Sequence, residues 1–261
     1  YALLAVPAFV VGSTVVMVAE PAGDGTVPPL AAILPALSFV AFAGVALALI
    51  AVVARRWPSA RDLGLTRRLG GRDLALIVAV FVVTHVLFWL LTRNTGSAAD
   101  SARALFRDMR LDAGLFPAFM ALFTAVILAP VCEEILYRAA VLRPIHDHLA
   151  RRGRATLGAV LGIAVSSVLF AMPHLGDGAS APVMASYLLT GVAFGLVYVL
   201  TGSLTAAMVS HSLQSAFAFG QVLLFGAGDA TVSPVLYVLV LGCPLWVYLV
   251  ARGLRAVLPD R

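Results

Sequence analysis

The sequence contains no lysine, few charges and almost no cysteine. All 18 of its basic residues are arginine, and charged residues make up only 12% of the 261 residues. So few charges exclude an ordinary soluble surface. The two cysteines, Cys132 and Cys243, lie within apolar runs and indicate neither a disulfide framework nor a zinc knuckle. The net charge of +5 gives little indication of nucleic-acid binding, and we expect no nucleic-acid partner.

Long hydrophobic runs are abundant instead. Hydrophobic residues make up 61% of the chain, and the mean hydropathy is +1.00. A run of about 20 apolar residues crosses a bilayer as a helix. The sequence therefore predicts an all-α polytopic membrane bundle of about eight transmembrane helices, forming one intramembrane domain over 1–261. The predicted spans are 1–19, 31–54, 73–92, 115–142, 156–174, 183–201, 203–224 and 232–251.

Arginine is concentrated in three segments, 55–72, 143–154 and the stretch after Ala251. The positive-inside rule makes these segments cytoplasmic, so both termini lie inside. Segment 92–114 mixes arginine with aspartate and predicts an external amphipathic helix on the membrane surface. A composition rich in Arg, Ala and Val indicates a GC-rich bacterial genome, hence a multi-pass protein of the bacterial inner membrane.

The stretch "APVCEEILYR" places two carboxylates and an arginine inside a predicted span. Ionisable residues at bilayer depth are costly and mark functional sites. Glu134 and Arg138 have the i, i+4 spacing of a helical ion pair, whereas Glu133 points about 100° away. Glu133 is therefore left to exchange a proton with water. The alternative is a salt bridge that only locks two helices together.

Two histidines lie in later predicted spans. His174 shares a helix face with Phe170, and His211 shares one with Ser215, with Gln214 one step round the helix. A lone intramembrane histidine commonly makes only an interhelical hydrogen bond. Three polar helices in one bundle instead favour a common site.

These residues resemble the motifs of the CPBP intramembrane metalloproteases, also called the CAAX-protease or Abi family, which includes the type II CAAX prenyl endopeptidases. The first motif, E-E-x-x-x-R, is complete as Glu133, Glu134 and Arg138. The second, F-x-x-x-H, is complete as Phe170 and His174. The third, H-x-x-x-N, is present as His211 with Ser215 in place of Asn. The resemblance defines a motif-bearing catalytic core over 115–220.

The resemblance implies an endopeptidase that hydrolyses a hydrophobic peptide or membrane-protein substrate within the lipid bilayer. In this family Glu133 and His174 would activate water, and His211 with the residue at Ser215 would stabilise the oxyanion. Glu134 and Arg138 would orient the site. Loss of one oxyanion donor costs on the order of 100-fold to 1,000-fold in rate, so activity is weak unless Ser215 or Gln214 compensates.

The family name implies a metal, and Glu133, His174 and His211 are the candidate ligands for Zn²⁺ or another divalent ion. The same three residues could also activate water without a metal, and the sequence leaves both possibilities open.

Two other functions stay open. The protein could be a catalytically weak family member that binds peptide or confers bacteriocin immunity, which the Ser215 departure favours. It could also be a proton-coupled transporter that relays protons through Glu and His, although no internal repeat is apparent.

The position of the motifs along the helices predicts where the site opens. Glu133 and His174 are equidistant from about residue 153, which predicts a long helical hairpin with its tip in the arginine-rich cytoplasmic segment. A hairpin that projects beyond the membrane brings both residues to the level of His211, so the site opens towards the cytoplasm. A helix break at Pro144 would change this geometry.

Overall fold

A computed structural model of the protein describes residues 27–65, 68–94, 98–176 and 181–259. These residues form helices joined by short turns, and none of them lies in a strand, so the all-α class is confirmed. Within the described ranges, six helices are long and apolar enough to cross a bilayer. They correspond to six of the eight predicted spans. The first predicted span, 1–19, lies outside the described residues.

We label the described helices in chain order. They are α1 (Pro29–Ala54), α2 (Ala60–Leu63), α3 (Gly71–Thr92), α4 (Ala98–Asp108), α5 (Leu115–Ala150), α6 (Ala155–Ala171), α7 (Ala181–Thr201), α8 (Leu204–Gln221) and α9 (Pro234–Val257). A 3₁₀ turn, Met172–Gly176, extends α6, and a π-helical turn, Val222–Gly226, extends α8.

The predicted span 203–224 corresponds to α8, which is not among the six most apolar helices. Its polar residues, including His211 and Gln214, lower its mean hydropathy. Most of α8 is buried, and it packs against α3, α5, α7 and α9. The protein thus places its most polar long helix at the centre, where other helices rather than lipid surround its polar groups.

The long hairpin predicted from the motif positions is present as α5 and α6. Helix α5 continues through Pro130 and Pro144 because π-helical turns precede both prolines, at Thr124–Leu128 and Ile135–Leu142. A widened turn relieves the clash between a proline ring and the preceding carbonyl. A Cβ atom at Gly158 would lie 2.8 Å from the His146 carbonyl oxygen, so the two backbones approach closely.

The predicted amphipathic helix is present as α4. Its apolar residues Ala102 and Phe106 are buried against the π-helical turn that ends α8. A Cβ atom at Gly226 would lie 2.6 Å from the Ala102 carbonyl oxygen, so only glycine permits this contact. The protein itself therefore covers much of the apolar face of α4, and its place at the membrane surface stays a prediction.

The three arginine-rich segments meet at one end of the bundle. The backbone N–H of Ala60 donates to the Pro259 carbonyl at 3.1 Å, which joins the 55–65 connection to the C-terminal segment. Arg143 of α5 donates to the carbonyls of Arg61 and Asp62. Arg56 hydrogen bonds hold the pKa of the Asp62 carboxyl well below its usual range. The segments that the sequence assigns to one side of the membrane are therefore in contact.

Candidate active site

The ion pair predicted from the i, i+4 spacing lies at the centre of the site. Arg138 Nε donates to Glu134 Oε2 at 2.8 Å, and both side chains are fully buried. Arg138 Nη1 donates to the Ser166 hydroxyl of α6 at 3.0 Å. Neither charge reaches water, so each depends on the other and on these hydrogen bonds for stabilisation.

His211 of α8 joins this pair from the opposite side. Its Nδ1 lies 3.0 Å from Glu134 Oε1. An ionised carboxylate only accepts hydrogen bonds, so the ring donates through Nδ1–H. Glu134 thus receives one hydrogen bond from its own helix and one from α8, and it fixes the orientation of the imidazole ring.

Glu133 is the accessible acid of the site. Its side chain is 18% exposed, whereas that of Glu134 is 0% exposed. Glu133 Oε2 lies 4.0 Å from His211 Nε2. This separation is too long for a direct hydrogen bond, but one small group can bridge the two atoms with hydrogen bonds of about 2.8 Å. The gap between Glu133 and His211 is therefore a place for a water molecule or a substrate oxygen.

Aromatic rings enclose the charged groups. The Phe170 ring lies 6.1 Å from the His174 ring and 5.7 Å from the His211 ring. Phe194 stacks on His211 at 4.4 Å, and Tyr187 stacks on His174 at 3.7 Å. The Arg138 guanidinium lies about 6 Å from the centres of both Phe170 and Phe194. These rings exclude water around the buried charges and strengthen their interactions.

The fold brings together residues from all three motifs. Glu133, Glu134, Arg138 and His211 form one charged cluster, and Phe170 contacts both histidines. His174 lies in the 3₁₀ turn that follows α6. Ser215 is buried one helical turn beyond His211, whereas Gln214 is half-buried.

Three contributors to the site were absent from the sequence analysis. Ser166 holds Arg138, Phe194 stacks on His211, and Tyr187 stacks on His174. The sequence did carry a signal for Ser166, because it precedes Phe170 by four residues and lies on the same helix face as the second motif. Phe194 and Tyr187 belong to a helix without charged residues, and no local pattern marks them.

The described side chains do not form a ready-made metal site. Among the described residues, no three His, Cys, Asp or Glu side chains are grouped closely enough to hold an ion. The Nδ1 atom of His211 is hydrogen-bonded to Glu134. Only the Nε2 atom of His211 and the Glu133 carboxylate therefore face each other.

The fold and the site define a multi-pass helical membrane protein with a carboxylate and histidine cluster enclosed by its central helices. Residues 115–217, which include all three motifs, match the model of the Rce1-like type II CAAX prenyl endopeptidase family. The membrane-embedded CAAX protease MroQ of Staphylococcus aureus (strain USA300) is 31% identical over 96 residues. The aligned segment covers 37% of this chain and 36% of that protein. The predicted family resemblance is thereby confirmed. No solved structure matches the chain.

The contact between Ser166 and Arg138 yields a matched pair of variants. We expect Ser166→Ala to lower the free energy of unfolding by about 1–3 kcal/mol, because it leaves a buried guanidinium N–H unpaired. Ser167→Ala is the control, since the Ser167 hydroxyl is equally buried and donates only to the Ile163 carbonyl. Unfolding in detergent, followed by tryptophan fluorescence, measures both. Equal losses in the two variants would contradict a specific role for Ser166.

Proposed function

We propose that the protein is an intramembrane endopeptidase that hydrolyses a hydrophobic or membrane-associated peptide. The observation that carries this proposal is the 4.0 Å gap between Glu133 Oε2 and His211 Nε2, which lies beside an otherwise buried charge cluster. The family match over residues 115–217 supports the same reaction class. The substrate peptide would come from the surrounding bilayer, and the peptidase acts in a bacterial cell membrane.

Charge balance supports specific roles for the four charged groups. Glu133 and Glu134 supply two negative charges, and Arg138 supplies one positive charge. In the proposed mechanism the His211 ring carries a proton on each nitrogen and supplies the second positive charge. A balanced set of charges is far less costly to bury than an uncompensated one. In this state His211 donates through Nδ1 to Glu134 and through Nε2 into the gap beside Glu133.

Hydrolysis from this state keeps the site neutral. Glu133 takes a proton from water while the water oxygen attacks the peptide carbonyl carbon, and the family resemblance assigns His174 an assisting role in this step. The negative charge passes from Glu133 to the carbonyl oxygen, which accepts a hydrogen bond from His211 Nε2. The C–N bond then breaks, and Glu133 returns the proton to the leaving amine. Glu134 and Arg138 hold the ring of His211 throughout.

The direction of access follows from the arginine-rich segments. They are in contact at one end of the bundle, and we propose that this end is cytoplasmic. Substrate would then approach from the cytoplasmic side of the membrane, and on this proposal both chain termini would lie on that side.

Ser215 favours a second function, which is peptide binding without efficient hydrolysis. Ser215 stands where the family motif has asparagine, and its hydroxyl is shorter than an amide side chain. If neither Ser215 nor Gln214 reaches the oxyanion, the same site binds a hydrophobic peptide without efficient hydrolysis. Peptide capture, as in a receptor or immunity protein, is therefore the alternative to catalysis.

Ser215→Asn tests the choice between these two functions. We expect this variant to hydrolyse quenched fluorescent hydrophobic peptides about 10-fold to 100-fold faster than the parent, because it supplies a second oxyanion donor. Ala218→Asn is the control, since it adds the same amide at an exposed position of α8. A chelator added to the same assay distinguishes metal-dependent from metal-free hydrolysis.

The assay and a peptide-binding measurement together decide the function. Cleavage by the parent, accelerated in Ser215→Asn, supports the peptidase. Retained peptide binding without cleavage by either protein would overturn the peptidase proposal in favour of peptide capture.

A further inference from the structure

A cavity of about 250 Å³ lies away from the charge cluster, at the arginine-rich end of the bundle. It is enclosed by α2, α5 and the end of α7. Its polar lining comprises Arg61, Arg143, His146, Asp147 and the Tyr198 side chain. One water occupies about 30 Å³ in the liquid, so the cavity is large enough for a polyatomic ligand.

The cavity lies at the level where the apolar span of α7 ends. Gly202, which follows the last residue of the α7 span, forms part of its wall. Leu142, another wall residue, is nine residues from Glu133 along α5, or about 13 Å. Gly202 is likewise nine residues from His211. Leu142 is therefore as far from Glu133 along the chain as Gly202 is from His211. Both wall residues lie at the level where the apolar span of α7 ends, which is where the headgroups of a bilayer begin.

Only some of the charged side chains in the cavity wall have hydrogen-bond or ion-pair partners. Arg143 donates to the carbonyls of Arg61 and Asp62, and its Nε lies 3.4 Å from Asp147. Asp147 also lies 3.1 Å from His146 Nδ1, so its negative charge faces two partners. Among the described residues, the Arg61 side chain has neither a hydrogen bond nor an ion pair. Arg61 therefore leaves the wall with an uncompensated positive charge.

We propose that this cavity binds a phosphate group, and that its occupant is the headgroup of an anionic phospholipid. The planar guanidinium of Arg61 matches two phosphate oxygens, and the Tyr198 hydroxyl is a further donor at the wall. Basic cavities between membrane helices on the cytoplasmic side bind anionic headgroups. A lipid held here contacts α2, α5 and α7 together and links the hairpin to the membrane surface.

The test uses the full chain, purified in detergent and stripped of lipid. The probes are inorganic phosphate, dihexanoyl phosphatidylglycerol and dihexanoyl phosphatidylcholine, and the readout is the rise in Tm with probe concentration. We expect saturable stabilisation by phosphatidylglycerol, with about tenfold weaker apparent affinity in Arg61→Gln. Arg152→Gln is the control, because Arg152 lies in the exposed turn after α5, outside the cavity.

The probes separate the two sources of phosphate. If inorganic phosphate competes with phosphatidylglycerol, the site recognises the phosphate group alone. If inorganic phosphate does not compete, the site requires the lipid. Tyr198→Phe removes the hydroxyl donor and provides a second weakened variant if Arg61→Gln alters folding in the absence of probe. Equal affinities in the parent, Arg61→Gln and Tyr198→Phe would overturn the proposal, as would equal stabilisation by phosphatidylcholine in all of these proteins.

Discussion

Replacement of Glu133 by glutamine is expected to lower peptide hydrolysis at least about 100-fold while the fold is retained. General-base catalysis contributes about 100-fold to 10,000-fold, and a glutamine of the same shape cannot accept the proton from water. The Glu133 side chain is partly exposed and lies 4.0 Å from its nearest charged partner, so its replacement breaks no short contact. The initial rate of cleavage of a quenched hydrophobic peptide measures the effect.

The control for this variant is Asp108→Asn, which removes one negative charge at an exposed position of α4. We expect it to leave both the cleavage rate and Tm unchanged. Near-parental cleavage by Glu133→Gln, with an unchanged Tm, would remove Glu133 from the reaction and with it the proposed mechanism. Loss of cleavage with an unchanged Tm separates a chemical role from a structural one.

Replacement of Arg138 by methionine is expected to give the largest loss of stability. The guanidinium and the Glu134 carboxylate are both fully buried, and removal of one partner leaves an uncompensated charge. Such a change costs about 3–5 kcal/mol. We expect a correspondingly large decrease in the free energy of unfolding in detergent, together with loss of any hydrolysis.

The double variant Glu134→Gln/Arg138→Met tests whether the loss comes from charge. It removes both members of the pair, and the carbonyl oxygen of the introduced glutamine side chain can still accept a hydrogen bond from His211 Nδ1. We expect it to recover much of the stability but none of the activity, because the neutral amide no longer stabilises a positive charge on His211. Arg103→Met, which breaks an exposed ion pair with Asp100, should leave stability unchanged. A double variant no more stable than Arg138→Met would show that packing, rather than charge, explains the loss.

The helices and the motifs were predictable because both depend on local patterns. Apolar runs of the length of a membrane span predicted the segments that became α1, α3, α5, α6, α7 and α9. Fixed spacing on one helix predicted the pair of Glu134 and Arg138. The central position of α8 was not predictable, because low hydropathy marks a polar helix but does not say which helices surround it. The π-helical turns that carry α5 past Pro130 and Pro144 also depend on the surrounding packing.

The sequence by itself determined an all-helical membrane protein, the order of its three motifs and the separation of Glu133 from the face of Glu134. Only the tertiary structure decided that His211 lies between the two glutamates and that Ser166 holds Arg138. These contacts join residues 77 and 28 positions apart. Helical periodicity relates residues only within a few turns, whereas the distance between helices is set by how close small residues such as Gly158 allow their backbones to approach. Local sequence patterns therefore identify the residues of the charge cluster, but helix packing brings these residues together.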